Sequence, residues 1–172
     1  MLNSLKALGA FMARRAENLL ALMLGAMFLV FLVQIVFRYL LNFPIGWTHE
    51  ISVILWLWLV LFGAGFVLRE SEEIRFDIIY GAVGPGPRRV MALITATALV
   101  VLYVISLPAM ADYVSFMKVE RTAYLKIPFN WVYAIYIAFA VGAIIRYLWL
   151  GFSALRGKAP EAFDPIKAGS GV

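Results

Sequence analysis

Four apolar runs, each long enough to cross a lipid bilayer, decide what this chain can fold into. A helix needs about 20 consecutive apolar residues to cross about 30 Å of hydrocarbon. Such runs extend over roughly 18–41, 47–68, 89–111 and 128–150. Because a bilayer offers backbone groups no water to bond with, each run must satisfy its own hydrogen bonds as a helix. The sequence therefore predicts an all-α integral membrane protein with four transmembrane helices, held within residues 17–150.

The composition supports this fold class and excludes several functions. The chain is 64% hydrophobic and 15% charged, whereas soluble domains are about 45–50% apolar and about 25% charged. It has no cysteine, which excludes thiolate metal sites, and one histidine, which excludes the paired axial ligands of a membrane b-type haem. No motif of a hydrolase, a nucleotide-binding loop, a zinc protease or a calcium loop occurs. We therefore expect no enzyme activity, no cofactor and no metal site.

Four spans place both termini on the same side of the membrane, and the basic residues indicate which side. Loops on the cytoplasmic side carry the excess of lysine and arginine. Eleven basic residues lie on the side of the termini, and four lie on the other side: Arg38, Lys118, Arg121 and Lys126. Both termini are therefore predicted to be cytoplasmic, in a multi-pass protein of the bacterial inner membrane. With this distribution, the net charge of +5 reflects topology and not a nucleic-acid partner.

The segments outside the spans carry separate predictions. Residues 1–16 are basic and amphipathic, which favours a short interfacial helix, with a frayed tail as the alternative. Residues 73–83 have one apolar face at helical spacing and predict an interfacial helix. Residues 112–127 fit either a second, partly interfacial helix or an extension of the third span. The segment 151–172 is rich in glycine, proline and serine and predicts a flexible cytoplasmic tail.

Two opposite charges flank the turn between the first two spans. Arg38 lies about one turn before the end of the first span, and Glu50 lies about one turn after the start of the second. Since charges inside a membrane are costly and normally face a partner or water, we expect an ion pair that fixes the hairpin. In the alternative, Arg38 reaches lipid phosphate and Glu50 is solvated at the interface. His49 is interpreted as an interfacial polar residue and not as a proton relay.

The second span carries tryptophans and glycines that suit close packing. Trp56 and Trp58 are two residues apart, so they point about 200° apart around a helix. Gly63 and Gly65 permit another helix to approach closely. These positions fit either packing within the chain or a docking surface for another membrane protein, and both alternatives stay open. The residues of the predicted partner interface are Trp47, His49, Trp56, Trp58, Gly63 and Gly65.

A cluster of mixed charge follows the second span on the predicted cytoplasmic side. It contains Arg69, Glu73, Arg75 and Asp77. Neighbouring carboxylates occur in acid–base catalysis. A solvated loop is the more common origin of such a pattern, and we assign the cluster no catalytic role.

One stretch of the chain resembles the small membrane subunit of tripartite ATP-independent periplasmic (TRAP) transporters, the DctQ-like family: FRYLLNFPIGWTHEISVILWLWLVLFGAGFVLRE. That family has an arginine late in its first helix and a Trp-x-Glu-Glu start to its second. A Phe-Gly-Ala segment follows, and then a charged stretch leads to an aspartate. The matching residues are Arg38, Trp47, Glu50, Trp58, Phe62, Gly63, Ala64 and Asp77. His49 stands where the family commonly has the first glutamate, which weakens any role for a paired carboxylate.

The resemblance implies a scaffold or accessory subunit of a secondary transporter. Such a subunit would brace a large membrane subunit that carries substrate and sodium, and would offer surface to a periplasmic substrate-binding protein. The substrates implied for the family are mostly organic acids, including C4-dicarboxylates. The expected partners are thus the large subunit, the binding protein and membrane lipid. The alternative function is a small autonomous proton-coupled transporter that uses Glu50 as its membrane-embedded carboxylate.

Overall fold

The computed structural model of the protein describes residues 2–43, 45–68 and 83–157, with side chains from residue 11 onward. Within these ranges the chain forms four long helices: α1 (Leu2–Ile35), α2 (Trp47–Phe62), α3 (Pro85–Phe116) and α4 (Phe129–Leu155). Three of them continue into a short turn of different pitch. These turns are the π turns Val36–Leu40 and Gly63–Val67 and the 3-10 turn Met117–Val119.

The four predicted spans are confirmed in the described part of the chain. The helical stretches that are long and apolar enough to cross a membrane are Phe11–Leu40, Trp47–Val67, Pro85–Val119 and Phe129–Leu155. Most of them run further than the hydropathy limits. Polar and aromatic residues at the membrane interface lower the local hydropathy, yet they continue the backbone hydrogen bonds of the helix.

Several segments outside the predicted spans prove to be helical. The basic segment 1–16 is not a separate element, because α1 begins at Leu2 and continues without a break to Ile35. Residues 112–119 extend the third helix, which decides between the two alternatives for that segment. Residues 151–155, assigned above to the flexible tail, complete α4. Three predictions fall outside the described residues. They are the interfacial helix at 73–83, of which only residue 83 is described, the tail beyond residue 157, and the cluster of Arg69, Glu73, Arg75 and Asp77.

The start of α3 precedes the predicted span by four residues, and proline explains why. The first N–H groups of a helix have no acceptor within it, so Pro85 and Pro87 cost no hydrogen bond there. The amide of Arg88 donates to the carbonyl oxygen of Gly84 at 3.2 Å and closes the first turn. Hydropathy excludes this turn from the span, whereas backbone bonding includes it in the helix.

The described residues belong to two compact units. The first contains the described parts of Met1–Val67 and Ser106–Gly142. The second contains those of Leu68–Ile105 and Ala143–Val172. Helices α3 and α4 therefore each contribute to both units.

In the first unit, helices meet through small residues. Gly65 lies buried in the π turn that follows α2, and Ala140 of α4 is fully buried. A β-carbon placed on Gly142 would lie 3.1 Å from the carbonyl oxygen of Gly65 and 3.2 Å from the ring of Phe66. Small side chains allow helices in lipid to approach this closely. The end of α2 thus packs on α4 through the backbone of two glycines.

In the second unit, the core is formed by alanine and leucine. Ala92 and Ala96 of α3 pack with Leu150 and Ala154 of α4, and Tyr147 covers the cluster from the side. Ala92 and Ala96 are four residues apart, as are Leu150 and Ala154, so each pair lies on one face of its helix. The two helices therefore meet along faces on which three of the four buried core residues are alanine.

Two arginines of the second unit bond to carbonyl groups at helix ends. The guanidinium of Arg89 donates to the carbonyl oxygen of Ala154 through Nε at 3.2 Å and Nη2 at 3.0 Å. Arg146 Nη1 donates to the carbonyl oxygen of Leu68, one residue after the second π turn, at 3.2 Å. The last carbonyls of a helix have no donor within it. These arginines supply donors and place positive charge at the negative end of the helix dipole.

The four spans differ in how much of their surface the chain itself covers. Of the most apolar 18 residues of each span, none is buried in α1 and 28% are buried in α4. Large side chains of α1 such as Leu22, Phe28 and Leu29 are more than half exposed. Helix α1 therefore presents apolar side chains outward along its length, where lipid or another membrane protein covers them.

We expect Gly142→Leu to destabilise the protein, because the contact with Gly65 leaves no room for a side chain. Overpacking of this kind costs about 1–3 kcal/mol. Gly25→Leu is the matched control, since no atom lies within 4 Å of a β-carbon at Gly25 and leucine favours a helix over glycine. Thermal unfolding in detergent should give a lower midpoint for Gly142→Leu alone. Equal midpoints for the two variants would contradict the close approach.

Candidate functional site

The turn that follows α1 is closed by backbone bonds of unusual span. The amide of Leu41 donates to the carbonyl oxygen of Val36 at 3.2 Å, and the amide of Phe43 donates to that of Phe37 at 2.9 Å. Between them Asn42 has a φ of 49°, a left-handed conformation that asparagine tolerates better than most residues. Arg38 lies inside this widened turn, in the segment Val36–Leu40. The helix thus ends abruptly and directs the chain back toward α2.

The start of α2 is fixed by side-chain hydroxyls and a glycine. Thr48 is fully buried and donates from Oγ1 to the carbonyl oxygen of Ile45 at 2.9 Å. Ser52 donates to the carbonyl oxygen of Thr48 at the same distance. A β-carbon on Gly46 would overlap the ring of Tyr124, so only glycine fits beneath that ring. The loop between α3 and α4 therefore rests on the first turn of α2.

Glu50 is the residue that joins this loop to α2. Its Oε1 accepts a hydrogen bond from the amide of Tyr124 at 2.7 Å, and its Oε2 accepts one from the amide of Leu125 at 2.9 Å. The hydroxyl of Thr122 and the amide of Ala123 also lie near the same carboxylate. Hydrogen bonds to an ionised group are stronger than those between neutral groups. Glu50 thus holds a nest of backbone amides in the loop, and we call this arrangement the Glu50 latch.

The loop that receives Glu50 is itself closely bonded. The amide of Thr122 donates to the carbonyl oxygen of Ile127 at 3.0 Å, and the amide of Ile127 donates to Oγ1 of Thr122 at 3.1 Å. The amide of Phe129 donates to the carbonyl oxygen of Glu120 at 3.0 Å. Lys126 has a φ of 57° at the tip. These bonds give the loop a fixed shape, with Tyr124 65% exposed.

The predicted ion pair between Arg38 and Glu50 is not formed in this structure. Glu50 directs its carboxylate to the loop amides, which lie 74 and 75 residues away in sequence. The guanidinium of Arg38 lies 5.7 Å from the ring centroid of Tyr39 instead. The loop amides donate hydrogen bonds to both oxygens of the Glu50 carboxylate, so the charge of Glu50 is stabilised without the guanidinium of Arg38. The hairpin is fixed by the Asn42 turn and the buried Thr48, while Glu50 fixes the loop.

The two central tryptophans of α2 point in different directions. Trp58 donates from Nε1 to the carbonyl oxygen of Val132 in α4 at 3.0 Å, and Trp56 is 56% exposed. Gly65 is buried against Phe139 of α4, with 3.3 Å between its β-carbon position and that ring. For Trp58 and Gly65 the structure therefore favours packing within the chain over contact with a partner. Trp47, His49 and Trp56 stay exposed, and Gly63 makes only ordinary contact with Leu20.

Sequence reasoning missed the residues that receive Glu50. Every residue except proline has a backbone amide, so residue type does not show which amides bind a carboxylate. The loop also contains no glycine-rich motif of the kind that indicates an anion-binding nest. The same reasoning missed Tyr124 as the cover of Gly46. The one available signal was Thr122, whose hydroxyl suits a turn.

The described residues offer little support for the proton-coupled alternative. That function needs Glu50 to gain and lose a proton in a water-filled path. Its two oxygens are instead occupied by loop amides. Among the residues that the structure describes, no group of three histidine, cysteine, aspartate or glutamate residues could hold a metal ion.

Comparison with known proteins gives consistent matches. The sequence profile of the family described as tripartite ATP-independent periplasmic transporters, DctQ component, matches residues 27–156, well over half of the chain. A C4-dicarboxylate TRAP transporter small permease protein of Vibrio cholerae is 33% identical over 86 residues, which are 50% of this chain and 37% of that protein. A putative TRAP transporter small permease protein of Haemophilus influenzae is 26% identical over 91 residues, 53% of this chain and 56% of that protein. The matched region thus spans about half or less of each relative.

We expect Glu50→Gln to loosen the loop between α3 and α4. Glutamine has a single acceptor oxygen, and its NH₂ group faces an amide that needs an acceptor. Hydrogen–deuterium exchange of the peptide 120–128 should then accelerate on the order of tenfold. Glu120→Gln is the control, because it removes a carboxylate from the same loop without touching the latch. If the two variants exchange alike, the latch does not hold the loop.

Proposed function

This chain belongs to the DctQ-component family of tripartite ATP-independent periplasmic transporters, and we propose from that membership that it braces a large membrane subunit. It is a small permease subunit, a multi-pass protein of the inner membrane, and not an enzyme. The observation that carries the proposal is the family match over residues 27–156, which includes the whole of α2, α3 and α4 and the last nine residues of α1. The exposed apolar surface of α1 is available for this contact, and lipid would cover the part that the partner leaves free.

We place the contact with the large subunit on the exposed side of α1 and α2. Trp56 is 56% exposed on this side, and Trp47, which is 38% exposed and lies about 180° around the helix, would extend the contact around the start of α2. Tryptophan is the residue most often found at the energetic centre of an interface. His49 and Gly63 lie on the same helix stretch and belong to the proposed face. Trp58 and Gly65 are left out because α4 covers them.

The proposal includes a periplasmic partner and a transported substrate. The loop between α3 and α4 would offer its fixed surface to a substrate-binding protein, and the large subunit would carry substrate with sodium. An organic acid is the proposed substrate class, in line with the name of the Vibrio cholerae relative, which specifies C4-dicarboxylates. This arrangement requires the loop to be periplasmic and both termini cytoplasmic. The eleven-to-four distribution of basic residues supports that orientation.

Deletion of the gene for this chain is expected to abolish uptake of the organic acid, with the large subunit and the binding protein still present. Trp47→Ala should reduce co-purification of the large subunit about tenfold or more, as loss of an interfacial tryptophan does. Trp131→Ala is the matched control, an exposed tryptophan (67%) at the corresponding end of α4. Uptake that continues at the original rate without this chain would refute the scaffold role.

The orientation can be tested with single cysteines, because the natural chain contains none. Ala123→Cys in the α3–α4 loop should react with a membrane-impermeant maleimide in intact spheroplasts. Arg156→Cys, just after α4, should react only after the membrane is permeabilised. The reverse pattern would place the termini outside the cytoplasm.

A further inference from the structure

A polar cleft of about 700 Å³ opens beside the turn between α1 and α2. Its polar lining comes from Gln34 and Arg38 of the first helix, Asn42 of the turn, His49 of α2 and Tyr124 of the loop. All of these side chains can donate a hydrogen bond, and no carboxylate is among the described residues that line the cleft. The cleft is therefore suited to an anionic group that accepts several hydrogen bonds.

Arg38 gives the cleft its charge. Its side chain is exposed, and its one described side-chain contact is the ring of Tyr39. The nearest acidic residue in the turn region is Glu50, which the loop amides occupy. A guanidinium matches the geometry of a phosphate group and binds it through two parallel hydrogen bonds.

An apolar groove of about 470 Å³ continues from this cleft along α1 and α2. The two cavities share Gln34 and His49, so the polar end passes directly into the apolar one. The apolar walls are Leu24, Met27, Phe28, Phe31, Val53 and Trp56. A basic, hydrogen-bonding cleft that leads into an apolar groove is complementary to an amphipathic molecule with an anionic head and an apolar tail.

We propose that this combined cleft and groove binds a glycerophospholipid, with its phosphate at Arg38 and an acyl chain along Phe31 and Phe28. The groove shares His49 and Trp56 with the face proposed above for the large subunit, so in the assembled transporter the lipid would lie between the two subunits. Arg38 lies near the end of its span, at the level of the headgroups, where arginine normally meets lipid phosphate.

The length of the groove agrees with an acyl chain. Leu24 and Arg38 are separated by 14 residues, which is about 21 Å along a helix at 1.5 Å per residue. One leaflet contributes about half of the 30 Å hydrocarbon core. The groove therefore spans the apolar depth of one leaflet together with part of its headgroup layer.

The lining also predicts which lipid binds best. None of the described residues that line the cleft carries a negative charge to pair with the ammonium of an ethanolamine headgroup, whereas Arg38 favours net negative charge. We therefore expect phosphatidylglycerol to bind severalfold more tightly than phosphatidylethanolamine. An acidic side chain of a partner protein would satisfy Arg38 as well, but it would leave the apolar groove below it unfilled.

The head of the site can be tested by native mass spectrometry of the full chain in detergent, titrated with palmitoyl-oleoyl phosphatidylglycerol. Arg38→Gln should weaken binding of the tightest lipid about tenfold, the effect of losing a charge-assisted hydrogen bond. Arg121→Gln is the control, because Arg121 is an exposed arginine of the α3–α4 loop that does not line the cleft. Circular dichroism establishes that both variants keep the helical fold.

The apolar groove can be tested with a second variant and a matched control. Val53 and Val60 are both exposed valines of α2 (48% and 43%), and only Val53 lines the groove. Val53→Trp should fill the groove and reduce lipid binding about tenfold, while Val60→Trp should leave it unchanged. Tight binding that survives both Arg38→Gln and Val53→Trp would overturn the proposal. Displacement of the lipid by inorganic phosphate alone would also overturn it, as would a photo-crosslinker at Phe31 that captures no lipid in membranes that contain this chain without the large subunit.

Discussion

Bonds from side chains to distant backbone groups hold this bundle together. Lipid tails are as apolar as leucine, so burial of apolar surface gives helices in a membrane little reason to associate. Trp58 bonds to the carbonyl of Val132, Glu50 to the amides of Tyr124 and Leu125, and Arg89 to the carbonyl of Ala154. In each case one partner is a backbone group, which lies in a helix or in the loop between α3 and α4. These contacts act together with the glycine and alanine stripes, which bring the helices close enough for such bonds to form.

The sequence predicted the number, the order and the approximate bounds of the helices, because these depend on apolar length alone. It also predicted that Trp56 and Trp58 would point apart, since helical geometry fixes the angle between neighbouring positions. The structure then assigned Trp58 to α4 and left Trp56 exposed. Periodicity gives the angle between two side chains, but only tertiary packing decides which of them lies inside.

The sequence could not predict the partner of Glu50. Charge complementarity pointed to Arg38, which precedes Glu50 by 12 residues across a tight turn, and that reasoning assumed that a carboxylate pairs with a cation. Backbone amides compete for the same carboxylate, and every residue except proline has one. Which amides converge depends on the conformation of residues 120–128, including the left-handed Lys126. That conformation is set by the hydrogen bonds of Thr122, Ile127 and Phe129, which no composition or spacing rule announces.

The Glu50 latch also has a consequence for biosynthesis. Its acceptor residue leaves the ribosome 74 residues before the first of its donors. At about 5–20 residues per second, that interval lasts about 4–15 s. The hairpin of α1 and α2 is therefore complete while its carboxylate still lacks a protein partner, and water must solvate it in the meantime. The loop between α3 and α4, which is made late, thus supplies the hydrogen bonds that Glu50 of α2 needs. A chain truncated before residue 124 lacks these donors and leaves the carboxylate of Glu50 without them.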